Sequence, residues 1–223
     1  VQLLKVYGRF EESGTLPNSI HGEDTSNRET SDAPLWFGLV CADLVAKNGP
    51  GFLAMELQSD GQSVAAVNTG SEDSKTFGDV LRNIALGYLG GTPNGIRVDP
   101  ESCLVWSPSH FTWMDTNHPA GTPREGYPVE IQVMWIQLLR LLEKTKIAAG
   151  GHSWKSLADL APNSFQTRYW IESEGYYADL IIASPGQSAE DGTLDTALRS
   201  NFPLAISTGL VTGERAQRAV AAA

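Results

Sequence analysis

Apolar residues in this chain recur mostly at three- and four-residue spacing, which predicts helices separated by long polar stretches. The clearest run is 76–89, where Phe77, Val80, Leu81, Ile84 and Tyr88 share one helical face. Thr76 and Asp79 supply a capping-box-like start, and Gly90–Gly91 the stop. Residues 33–47 predict a second helix, capped by Asp32, with Pro34 in its first turn and Trp36, Leu39, Val40 and Leu44 on one face. A longer helix over 128–148 is apolar nearly all round in its first half, so it should be buried on most sides. Shorter helical stretches follow at about 153–160, 163–172, 201–210 and 213–222. Alternation of period two is weak, and "GYYADLIIA" at 175–183 is the best strand candidate. The expectation is a mainly α protein.

The connections are long: 11–31, 50–73, 91–127 and 183–197. Structureless connections of that length are uncommon in compact domains and often functional. Helices joined by long loops fit a toroid of helical hairpins whose loops build a pocket, and a bundle would serve equally. With 223 residues, the chain most simply holds one domain, 1–223.

Charge narrows the partners. A net charge of −10 argues against nucleic acid and anionic membranes, which would repel it, but tolerates a neutral ligand such as a sugar. The apolar run "VMWIQLL" at 133–139 is too short to span a bilayer. Cys41 and Cys103 form no framework and read as two reduced thiols, and the four histidines lack metal-ligand spacing, so neither metal nor cofactor is expected. "GHSWK" at 151–155 lacks the second glycine of a nucleophile elbow, and no dinucleotide fingerprint or P-loop is present.

What remains is carboxylates beside aromatics, concentrated in "FTWMDTNHPAGTPREGYPVEI" at 111–131. Apolar sugar faces stack on indole rings, and glycosidic cleavage needs one carboxylic acid and one carboxylate. Each residue also has a plain structural reading. Asp115 suits an Asx turn, Asp32 an N-cap, and Glu130 the first turn of a helix, where the dipole favours an acid. Trp135 suits a core position, Trp36 either role, and Cys103, His110 and His118 structural or exposed places.

The stretch "FTWMDTNHPAGTPREGYPVEIQVMWIQLL" resembles the signature of the amylo-α-1,6-glucosidase domain of glycogen debranching enzymes. The likeness extends through "GTLPNSIHG", "TSDAPLWF", "GYLGGTPNGIRVDPESCLVWS", "FQTRYWIESEGYYADLI" and "DTALRSNFPLAIS", in order across most of the chain. It implies an (α/α)6 toroid with its site at the mouth, incomplete at both ends here, and inverting hydrolysis of α-1,6-linked glucose at branch points of a cytoplasmic α-glucan such as glycogen. Asp115 matches the general acid. Trp113, Arg124, Glu130, Asp32 and Trp36 match positions expected to line the glucose pocket, as do Asp179, Arg199 and Asn201.

The family's "RPN" reads "RSN" at 199–201. The general base is expected as a glutamate beyond the counterpart of "LRSNFPLAIS"; Glu214, the only acidic residue after it, reads as an ordinary helix start and is not assigned. Two alternatives stay open: a glycan-binding domain without hydrolysis, and another toroidal α-glycosidase of trehalase-like or glucosidase-like kind.

Overall fold

A computed structural model describes residues 1–57, 75–114 and 122–223. The expected helices at 33–47 and 76–89 are α2 (Ala33–Asn48) and α3 (Phe77–Gly90), preceded by an unpredicted α1 (Gln2–Gly8). Thr76 and Asp79 close the capping box of α3: the Asp79 amide donates to Thr76 Oγ1 at 3.2 Å, and the Thr76 amide to Asp79 Oδ2 at 2.9 Å. Phe77, Val80, Leu81, Ile84 and Tyr88 are all fully buried, so periodicity placed this helix correctly.

In α2 the buried face differs from the one expected. Leu35, Phe37, Cys41 and Val45 are buried, while Trp36 and Val40 are 42% and 40% exposed. Both faces of this helix are apolar, so hydrophobic spacing could not choose between them. Asp32 stands at its N-cap as expected, though its side chain makes no capping hydrogen bond; Thr30 Oγ1 accepts from the Ala33 amide at 3.1 Å and donates to Asp32 Oδ1 at 2.6 Å.

The long helix α4 (Val129–Thr145) is buried at every position from Val129 to Ile136. It packs against α2, α3, α5 (Trp154–Arg168) and α6 (Pro203–Ser207), which explains why its sequence is apolar on all sides. α5 runs unbroken where two stretches were expected, with Pro162 inside it. A proline there removes a backbone bond, yet burial of Trp154, Ala161 and Phe165, with α4 alongside, holds the helix together. α7 (Gly213–Ala222) closes the chain as expected.

The (α/α)6 toroid expected from the resemblance is overturned. Helix accounts for 45% of the described residues and strand for 12%, and the strands form small antiparallel sheets rather than loops between hairpins. β1 (Arg97–Val98) pairs with β2 (Val105–Trp106), and β4 (Trp170–Ile171) with β5 (Tyr176–Tyr177). β6 (Leu180–Ile182) lies between β3 (Gly126–Pro128) and β7 (Thr193–Asp195). The helices gather on α4 instead of ringing an axis. The strands are two or three residues long, too short to leave a period-two pattern, so helical spacing dominated the reading.

The strand candidate 175–183 divides between two sheets. Tyr176–Tyr177 pairs with β4 and Leu180–Ile182 with β3, and the chain turns from one sheet to the other at Ala178–Asp179. That corner puts Asp179 beside the start of α4, where its carbonyl accepts from the Val129 amide at 2.9 Å.

Candidate active site

Residues 108–114 and 122–125 leave the sheet as two loop arms pinned at their base. Ser107 and Gly126 exchange backbone bonds of 2.7 and 3.1 Å, and the His110 amide donates to the Pro123 carbonyl at 2.8 Å. Gly126 has φ of +127°, and a Cβ there would stand 2.2 Å from the Ile181 carbonyl oxygen, so only glycine fits. His110 and Arg124 both take left-handed conformations, with φ of 63° and 51°. Left-handed backbone costs a side-chain-bearing residue about 1 kcal/mol or more and persists only where surrounding contacts fix it.

At Arg124 those contacts are visible. Its side chain is buried, and all five N–H groups are used within the protein. Nε donates to Asp179 Oδ2 at 3.0 Å, and Nη1 to Thr112 Oγ1 at 3.1 Å and to Glu130 Oε1. Nη2 donates to Glu130 Oε2 at 2.7 Å and to the Asp179 carbonyl at 3.2 Å. Burial works against the guanidinium charge, but the hydrogen bonds and charges of Glu130 and Asp179 outweigh it and hold its pKa above the ordinary value. Burial also pushes the Glu130 carboxyl upward, an effect the Arg124 fork only partly offsets. With both oxygens on one guanidinium, Glu130 is poorly placed to take a proton from water.

Asp179 is the hub. Its Oδ2 also accepts from Arg199 Nη1 at 3.0 Å, and Arg199 reaches Asp195 Oδ2 at 2.8 Å. Its Oδ1 accepts from Asn201 Nδ2 at 2.6 Å. Asn201 Oδ1 in turn accepts from the Trp113 indole N–H at 2.9 Å, while Asn201 Nδ2 also contacts Met114 Sδ at 3.4 Å. Three carboxylates (Glu130, Asp179, Asp195) therefore face two guanidiniums (Arg124, Arg199), and the cluster ends on an indole that is 56% exposed.

Six of the predicted site residues thus form one bonded group: Trp113, Arg124, Glu130, Asp179, Arg199 and Asn201. Asp32 is connected to the same loop through its neighbour. The Ser31 amide donates to the Phe111 carbonyl at 2.7 Å, and the Ser31 and Ser107 hydroxyls lie 2.7 Å apart. Trp36 lies one turn into α2, half-exposed and outside this group. Asp115 and His118 lie outside the described residues.

Thr112, Asp195 and Met114 belong to the cluster and were not anticipated. Asp195 could have been, because it stands four residues before Arg199 in "DTALR". Thr112 carries no such signal. His110 Nδ1 is buried with no hydrogen-bond partner among the described residues. A cleft of about 460 Å³ lies elsewhere, lined by Glu11, Gly14, Lys75, Asn83, Gly87 and Gly91, none of them a predicted site residue.

The arrangement offers a solvent-facing indole held rigidly on a buried, fully bonded polar cluster. That is chemistry suited to stacking an apolar sugar face beside fixed hydroxyl partners. No curated protein matches this chain. The family model described as amylo-alpha-1,6-glucosidase matches residues 1–223, the whole chain. With the residues of its signature gathered around Arg124 and Asp179, the protein belongs to the amylo-alpha-1,6-glucosidase family, a glycoside-hydrolase-like group related to glycogen debranching.

Proposed function

We propose that this chain serves the inverting hydrolysis of α-1,6-linked glucose at branch points of a glycogen-type α-glucan, with Asp115 as general acid. The supporting observation is the Trp113 indole, half-exposed and pinned by Asn201 two residues before Asp115. A stacking surface so close in sequence to the acid would set the ring that carries the scissile bond. Glucose units bear apolar faces that an indole covers, and a branch point presents a single residue to be recognised. The proposed compartment is the cytoplasm, in keeping with two unpaired, buried cysteines.

Inversion needs a second carboxylate roughly 6.5–9.5 Å from the acid, with water between them. Glu130 is occupied by Arg124, and Glu214 is exposed in the first turn of α7. Neither is assigned that role. A glycan-binding domain without hydrolysis is the second reading, favoured by the full engagement of Glu130 and Arg124 with each other and with Asp179.

The deciding experiment measures glucose release from branched limit dextrin by the full-length protein, alongside glucan binding by calorimetry. Asp115→Asn should lower release by roughly two to four decades with an unchanged circular dichroism spectrum. Proton NMR of the first-formed sugar should show the β-anomer. Binding without release by the wild-type protein would select the second reading, and near-normal release by Asp115→Asn would remove Asp115 from the mechanism.

A further inference from the structure

Asn201 was expected to touch the sugar, but its amide is already committed inside the protein. Its Oδ1 accepts from the Trp113 indole at 2.9 Å, and its Nδ2 donates to Asp179 Oδ1 at 2.6 Å and faces Met114 Sδ at 3.4 Å. Asn201 is 4% exposed and Asp179 2%, whereas Trp113 is 56% exposed. The amide thus joins a buried carboxylate to an indole in solvent. Asp179 cannot turn, because Arg124 and Arg199 hold its other oxygen, each at 3.0 Å.

From this geometry we infer that Asn201 is a positioning residue that fixes the angle of the Trp113 indole and the place of Met114, and through them the loop leading to Asp115. This rests on the reading of Trp113 as a sugar-stacking surface. The chemistry suits an amide at any pH. The indole N–H needs an acceptor and the Asp179 carboxylate needs a donor, and an amide presents one of each at a fixed spacing. An alkyl side chain at 201 would leave both partners unsatisfied.

An isosteric change separates positioning from bulk packing. In Asn201→Asp the donor becomes a second carboxylate oxygen, placed against Asp179 Oδ1. Two ionised carboxylates in contact repel, which favours a shared proton as pH falls, while the neighbouring Arg124 and Arg199 favour ionisation of both at neutral pH. The charged groups facing it are Arg124 and Arg199 on Asp179, with Glu130 and Asp195 behind them. The shared proton restores the bond to Asp179 and leaves an oxygen free to accept from Trp113.

Measured in the full-length protein on branched limit dextrin, Asn201→Asp should lose about 10- to 100-fold in kcat at about pH 7, the cost of a modest misplacement of reacting groups. Relative to wild type at the same pH, most of that loss should disappear near pH 5. Iodide quenching of tryptophan fluorescence, corrected with Trp113→Phe, should show a more accessible indole only at the higher pH. An unchanged kcat at neutral pH, or an equal loss at both, overturns the inference. If Asn201→Asp fails to fold, Trp113→Phe decides, since it keeps a smaller aromatic ring for stacking and removes the N–H. A kcat loss with little change in KM supports the inference, and wild-type turnover overturns it. A Trp113→Ala variant that neither binds glucan less tightly nor releases less glucose would refute the stacking role itself, whatever Asn201 does.

Discussion

Glu130 and Glu11 are both buried carboxylates, held in opposite ways. Glu130 meets a guanidinium whose side chain has no solvent exposure, in a fork that also binds Asp179. Glu11, with its side chain 1% exposed, pairs with Lys75, whose side chain is 32% exposed and borders the open cleft. Glu11 also accepts from the Gly14 amide at 2.9 Å and from Asn83 Nδ2 at 3.1 Å. In one case the counter-charge is part of the core, and in the other it reaches in from water. A buried carboxylate therefore says little about function until its partner's exposure is known. A sealed Arg–carboxylate fork gives rigidity at the expense of desolvating both ions, whereas a lysine at a cleft can be replaced by solvent.

The sharpest way to break this comparison is Arg124→Met. It leaves Glu130 and Asp179 without their shared cation, and should destabilise the fold by about 3–5 kcal/mol in urea titrations at neutral pH. The pH dependence tests the cause. Glu130 already has a raised pKa in the folded state, and losing Arg124 raises it further. A carboxyl raised above its unfolded value contributes stability below that value and loses it as pH rises through the folded pKa. The deficit of Arg124→Met should therefore shrink as pH falls from about 7.5 to 5.

A second test uses groups buried with no cationic partner. Burial pushes the Cys41 thiol from 9.0 to about 12 and the Cys103 thiol from 9.0 to about 11. Their protonated forms stabilise the fold fully below pH 9, and that contribution disappears as pH rises through 11 to 12. Unfolding free energy should fall by roughly 4 kcal/mol between about pH 9 and 11. Iodoacetamide at about pH 8 should label both thiols only in denaturant, because the thiolate is the reacting species.

The smallest effect is expected at Lys75→Met. Asn83 and the Gly14 amide remain on Glu11, and water entering the cleft substitutes for the ammonium, so the loss should be about 1 kcal/mol by the same titration. A loss as large as that of Arg124→Met would erase the distinction between the two carboxylates.

The helices α3, α4 and α7 were readable in the sequence because each carries a period or cap that its own residues determine. The buried side of α2 was not, since Trp36 and Phe37 are equally apolar and only the position of Leu138 and Phe77 across from it decides which goes in. Residues of the cluster could be named one at a time from the motif, but their roles could not. Arg124 reads as a sugar clamp in sequence, whereas in space its five donors are spent on Glu130, Asp179 and Thr112. Most strands escaped notice because they are two or three residues long, and the pairing of β3 with β6 joins residues far apart, such as Tyr127 with Ile181, which no local pattern encodes.

The joint at Gly126 divides the evolutionary freedom of this region in two. At 126 itself the alphabet is reduced to a single letter, because even a methyl group collides with the neighbouring strand. The main-chain bonds between 107 and 126 that close the base, by contrast, can be supplied by any sequence, while Thr112 and Arg124 stay tied to the buried cluster. Descendants of such a chain can thus vary here only where neither the joint nor the cluster claims a side chain.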